Sequence, residues 1–139
     1  MKPKNKPAKR GKSRLNELER DEGTIKLQKN IYVVFVECES PGNVGFLART
    51  MGNFGLHNLV LINPCELKDE AYYQAMHARK TVENAEIYDT LQEFLDDKKI
   101  DFIVGSTGAP GGSYNLSRIP IRPDELADKM NYDNKIAIL

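Results

Sequence analysis

"IYVVFVECESPGNVGFLARTMGNFG", residues 31–55, decides the fold. Its first six residues are β-branched or aromatic with no polar alternation, the pattern of a strand buried on both faces in a parallel sheet. Two acids, a proline and a glycine follow, and then a segment whose apolar residues recur at helical spacing. Pro41 suits the first turn of a helix and Gly55 its C′ position. At 100° per residue, Val44, Leu47, Met51 and Phe54 share one arc with Ala48 at its margin, so this face is expected to lie on the sheet. Gly45 and Gly52 fall side by side on another strip, open to a close approach, and Arg49 lies next to it, away from the core face. A strand, a tight turn and a helix opened by polar backbone form the place where α/β proteins hold ligands.

The rest of the chain extends this pattern. "NLVLINP" (58–64), "IDFIVGSTG" (100–108) and "NKIAIL" (134–139) read as further buried strands. With the first, they predict strands near 31–37, 58–62, 101–105 and 135–139. "EAYYQAMHARKTVENAEIY" (70–88) reads as helix up to its Glu-Asn pair, and "TLQEFLDDKK" (90–99) as another. "PDELADKM" (123–130) opens a third with Pro123 and acids in its first turn. Strands alternating with helices imply an α/β fold, a mostly parallel sheet with helices on both faces and right-handed crossovers. Ligands gather at the C-terminal ends of such strands. Here those ends carry "ECESPGN", "NP" and the glycine- and hydroxyl-rich "GSTGAPGG".

Charge divides the 139 residues unevenly. Residues 1–14 carry seven Lys or Arg and no acid, whereas the remaining 125 hold 13 bases against 20 acids, a net of −7. A basic arm on an acidic body points to a polyanion partner met first by the arm; simple solubilisation is the alternative. The Lys, Pro and Gly content of residues 1–14 predicts a disordered arm, and residues 15–29, polar and weakly helical with a break at Gly23, read as a linker. No apolar h-region opens the chain, and no stretch approaches the roughly 20 apolar residues of a membrane span, so a cytoplasmic location is expected. Cys38 and Cys65 match no metal spacing and are expected as reduced thiols.

Taken singly, the candidate sites have structural explanations. Neither glycine loop carries the G-x-G-x-x-G dinucleotide fingerprint or the G-K-[ST] of a phosphate-cradling loop. Asn43 equally fits a helix cap, and Arg49 a solvated arginine. His57 and His77 stand apart from any ligand set, so no metal is expected. Glu37 and Glu39 alternate at a strand end, where acids are usually solvated. Tyr72, Tyr73 and Met76 sit at helical spacing, which fits core or interface better than base stacking.

Together, however, the motifs resemble a family. "VVFVECESPGNVGFLARTMGNFGLHNLVLINP" is similar to the first signature of the SpoU branch of the SPOUT methyltransferases. It matches at Pro41, Asn43, Gly45, Ala48, Arg49, Met51, Phe54 and Gly55. "VGSTGAPGGSYNLSRIPIRPDELADKM" resembles the loop and helix of the TrmJ-like subgroup, which modifies position 32 of the tRNA anticodon loop. The resemblance covers residues 30–139 and implies transfer of a methyl group from S-adenosylmethionine to a ribose 2′-hydroxyl of tRNA or rRNA, in a homodimer. Within it, Arg49 carries the catalytic role with Asn43 beside it, and Ser106, Thr107 and Gly108 line part of the cofactor pocket. Lys9, Arg10, Lys12 and Arg14 of the basic arm, with Arg49, are the expected RNA contacts.

Two departures mark this chain. The subgroup follows its third strand with a Thr-Thr-Ala-Arg-like run; Ser106 and Thr107 fit its first two places, but Gly108 and Ala109 replace the last two. The family's second and third signatures, which tie the knot and build most of the cofactor pocket and the dimer interface, should follow "IAIL". The expectation is therefore a Rossmann-like front part of a SPOUT domain, knot absent from this chain, with little activity alone. Two other readings accompany it: a non-catalytic RNA-binding module, and a flavodoxin-like nucleotide-binding domain.

Overall fold

The computed structural model describes residues 22–107 and 120–139. The expected disorder of residues 1–14 lies outside that range. Among the described residues, five strands form one sheet in the order β3-β2-β1-β5-β4, and every neighbouring pair is parallel. In chain order, helix α1 (Glu22–Asn30) leads into β1 (Ile31–Val36), α2 (Pro41–Asn53) and β2 (Asn58–Ile62). Next come α3 (Asp69–Ala75), a 3-10 turn (Met76–Ala78), α4 (Arg79–Glu83) and β3 (Glu86–Tyr88). The chain then runs through α5 (Leu91–Lys98), β4 (Phe102–Val104), α6 (Pro123–Lys129) and β5 (Ile136–Ile138).

The four expected strands are present, although β4, read as buried, has no buried residue and its Ile103 is 51% exposed; β3 is an addition. Its three residues include an exposed Glu86 and an Ile87 that is 58% exposed, so no buried apolar run announced it. Helix α1 is the second correction. Gly23 stands in its first turn rather than breaking it, and the helix is fastened to the body. The Gln28 amide donates to the Phe54 carbonyl (2.7 Å), the Asn58 amide to the Lys29 carbonyl (2.8 Å), and Lys26 pairs with Asp133.

Alternate residues of the strands feed two cores. On one face, Leu59 and Leu61 pack with Val44, Ala48 and Met51 of α2, Ala71 and Ala75 of α3, and Val82 of α4. On the other, Val34, Val60, Ile62 and Ala137 pack with Phe94 of α5. Helices therefore cover both faces.

Helix α2 begins as its sequence dictates, with Pro41 in the first turn, and ends in a Schellman motif. Leu56 N–H donates to the Met51 carbonyl (3.0 Å), Gly55 N–H to Gly52 (3.2 Å), and Gly55 adopts φ 70°. This motif corrects one residue of the expected core face: Phe54 is the C-cap and is 66% exposed. The glycine strip is occupied by protein. A Cβ at Gly45 would lie 2.3 Å from the Ala71 carbonyl oxygen and 2.9 Å from the Ala75 nitrogen, so α3 crosses α2 there. Gly45→Ala is expected to push the two helices apart and cost about 1–3 kcal/mol. A denaturant midpoint within error of the unmodified protein would contradict this packing.

The second core also sets an alkaline limit. Burial, with hydrogen bonding to Asp97 (2.6 Å) and Glu86 (3.2 Å), raises the Tyr88 pKa well above the usual phenol value. Hydrogen bonding to Glu86 (2.5 Å) raises that of Lys98. Groups raised in the folded state contribute stability that is complete below their unfolded pKa and is lost as pH rises through the folded one. Stability should therefore decline above about pH 10, and Tyr88→Phe should shallow that decline in denaturant titrations across pH 9–11.

Candidate functional site: a crevice where the strand order reverses

From β1 the chain winds outward to β2 and β3 on one side, while β4 and β5 lie on the other. The reversal falls between β1 and β5, and open parallel sheets hold their ligands at such a point, outside the strands' C-terminal ends. A crevice of about 810 Å³ occupies that position. Its apolar wall comes from Val33 to Val36 of β1, Leu47 of α2, and Ile138 and Leu139. Asn43, Gly105 and Ser106 complete it, and among the described residues no charged side chain lines it.

Local backbone geometry delivers each polar group. Glu37 takes a left-handed conformation (φ 50°) while its N–H donates to the Ile62 carbonyl (2.8 Å), turning the chain sharply out of β1. Ser40 and Pro41 then start α2, which places Asn43 in the helix's first turn, exposed at the crevice. Across from it, Ser106 N–H and Oγ both donate to the Leu139 carbonyl, each at 2.8 Å. Leu139 N–H donates in turn to the Val104 carbonyl (2.8 Å). With its proton committed, the Ser106 hydroxyl offers lone pairs to the crevice, while the Asn43 amide both donates and accepts. A Cβ built at Gly105 meets nothing within 4 Å.

Asn43 and Ser106, expected at one site, are thus brought together. Arg49 is not among the lining residues; it stands exposed on α2, two residues past Leu47 and about 200° around the helix from it. Of the expected pair Arg49 and Asn43, Asn43 alone lines this crevice. Thr107 is exposed just beyond the lining, and Gly108, Lys9, Arg10, Lys12 and Arg14 lie outside the described residues. Among the described residues, no three His, Cys, Asp or Glu side chains could share a metal ion, and no helix is long and apolar enough to cross a membrane. Gly105 was legible only as part of a glycine-rich loop. The apolar wall could not be separated from core in the sequence, because a strand's last residues serve both.

Chemically, the crevice suits a ligand with a largely apolar body and a few hydrogen-bonding groups. Among the described residues, no acidic or basic side chain lines it.

Comparisons with known proteins agree with this fold. The SpoU rRNA Methylase family matches residues 30–139. A curated tRNA (cytidine-2′-O-)-methyltransferase TrmJ from Methanocaldococcus jannaschii is 44% identical over 101 residues, 72% of this chain and 43% of that protein. An uncharacterized tRNA/rRNA methyltransferase from Haemophilus influenzae is 32% identical over 112 residues, 80% of this chain and 44% of its own length. The solved structure of a probable methylase family protein from Haemophilus influenzae superimposes with a TM-score of 0.70 at 32% identity, covering 81% of this chain and 45% of that one. This chain therefore spans less than half the length of these relatives. With its five-stranded sheet and its crevice at the strand reversal, the chain belongs to the SpoU rRNA methylase family.

Proposed function

We propose that this protein contributes the front of the cofactor pocket in an S-adenosylmethionine-dependent RNA 2′-O-ribose methyltransferase. Its substrate would be tRNA, at position 32 of the anticodon loop. The crevice at the β1/β5 reversal carries the reading, because it combines an apolar wall with two polar groups in a chain of this family. An adenosine and a sulfonium-bearing chain would match that lining, with Ser106 and Asn43 as hydrogen-bonding partners and Thr107 and Gly108 as further expected contacts. When bound, S-adenosylmethionine supplies an electrophilic methyl group. The activity belongs to a homodimeric, cytoplasmic polypeptide of the relatives' length, and residues 1–139 alone transfer methyl poorly.

The residues divide their work by size of ligand. The small cofactor lies within the crevice; the RNA, too large for it, meets the outer face of α2. A guanidinium is not deprotonated in proteins, which makes an arginine a poor general base. The planar fork of Arg49 is suited instead to gripping the phosphate beside the target ribose. The hydroxyl proton then passes to that phosphate or to water. Lys9, Arg10, Lys12 and Arg14 add RNA affinity that does not depend on sequence.

Gly105→Val tests the pocket directly. The open space at Gly105 admits a side chain without a clash, so the melting temperature should stay within about 2 °C while S-adenosylmethionine binding by calorimetry weakens at least about tenfold. Unchanged binding would remove the crevice from the reading. Deleting residues 1–14 should raise KM for tRNA and flatten the salt dependence of binding, with kcat nearly unchanged. Tight tRNA binding without methyl transfer, by a polypeptide of the relatives' length, would favour a non-catalytic RNA-binding module.

A further inference from the structure

Beside the crevice, at the ends of β1 and β2, the two cysteines of the sequence meet. Cys38 Sγ and Cys65 Sγ lie 3.8 Å apart, and the Cys65 N–H donates to the Cys38 carbonyl at 3.1 Å. That backbone bond holds the two segments at neighbouring-strand spacing, about 5 Å, within the Cα separation that a disulfide bridges. Both strands reach this point through the same device, a left-handed residue at Glu37 (φ 50°) and at Asn63 (φ 42°). The matching turns bring the thiols to one level.

We propose that Cys38 and Cys65 form a reversible, peroxide-sensitive dithiol that closes into an intramolecular disulfide and stiffens the rim from which α2 starts. The two thiols differ in accessibility. Cys38 is 4% exposed, and burial raises its thiol pKa; Cys65 is partly exposed. Cys65 is therefore the first to react. Its thiolate attacks one oxygen of hydrogen peroxide and breaks the O–O bond, giving a sulfenic acid and, after proton uptake, water. The Cys38 thiolate then attacks the Cys65 sulfur and displaces hydroxide, which leaves as a second water. In balance, two thiols and one peroxide yield one disulfide and two waters, and a dithiol reductant reverses the change.

Neither sulfur lines the crevice, so the crosslink leaves the ligand site open. Its effect is on stability: it closes a loop between residues 27 apart in sequence. Loop closure of that length should raise the melting temperature by about 5–10 °C. This inference stands independently of the methyltransferase reading.

Titrating the full chain with hydrogen peroxide tests it, because the sequence holds no other cysteine. Denatured thiol counts should fall from two to zero together, while the protein still migrates as a monomer on a non-reducing gel and loses two hydrogens by mass. Dithiothreitol should restore both thiols and the original melting temperature. At the same dose, Cys38→Ser should yield a sulfenic acid at Cys65 that dimedone traps, and Cys65→Ser should leave Cys38 a thiol. Persistence of both thiols, crosslinking between chains, or a melting temperature unchanged after closure would overturn the proposal. Equal reaction of the two single variants would overturn the order of attack.

Discussion

Arg49→Ala, in a polypeptide of the relatives' length, is expected to lower kcat by about 100- to 1,000-fold while tRNA affinity changes by less than about threefold. The asymmetry follows from where the residue stands. Arg49 is exposed on α2, outside the crevice, so its removal disturbs neither core nor cofactor contacts. Overall RNA affinity is shared among many phosphate contacts, and one fewer changes it little. Holding one particular phosphate beside the reacting hydroxyl is different, because a displacement of about 1 Å can cost on the order of a hundredfold in rate. Arg49→Lys keeps the charge and loses the bidentate fork, so it should recover affinity but only part of kcat. Single-turnover methyl transfer from labelled cofactor, measured beside tRNA binding, distinguishes these effects. Full turnover in Arg49→Ala would exclude the residue from the mechanism.

Phe94→Ala should be the most damaging single change to the fold. Phe94 is fully buried, and its ring meets Tyr32 edge-on (5.7 Å between centroids, 61°) and Tyr88 likewise (5.6 Å, 64°). Truncation removes its transfer free energy and leaves a cavity that a five-stranded sheet cannot collapse into, at a cost of about 3–5 kcal/mol. Set against a typical total of about 5–15 kcal/mol, that is enough to leave a marginal domain partly unfolded. Phe94→Leu fills more of the volume and should cost less than half as much. Urea midpoints give both values. A loss below about 1 kcal/mol in the alanine variant would mean that α5 does not cover this face.

Much of this architecture was legible in the sequence because the physics was local. Six residues at 31–36, Pro41 inside a helix start and Gly55 past its end each carry their own reason, and the structure places all three in the elements read, although β1 is buried only in part. What the sequence hid depends on partners distant in the chain. Ile87 is ordinary until β2 lies beside it, and Gly45 reads as an open approach until α3 fills it. For the site, Asn43 and Ser106 were legible as motif residues, and their meeting required the sheet order. Arg49 was visible as a residue withheld from the core. Its separation from the lining was not, since that rests on the rotation of α2 against a strand one of whose neighbours lies a hundred residues away.

That distance bears on how the protein is made. β5 lies between β1 and β4 and, among the described residues, is the only strand that β4 pairs with. Ile31 pairs with Ile136, so one flank of β1 waits for a residue 105 positions later in the chain. At about 5–20 residues per second, a ribosome takes on the order of 5–20 s to bridge that interval. Throughout it, β1, β2 and β3 can assemble with α2 and α3, but β4 has no neighbour and Ser106 has no carbonyl to hold it. β5 is thus the keystone of this sheet. Nascent chains stalled before residue 136 should be protease-sensitive around β4 and chaperone-bound, long after their first half has become resistant.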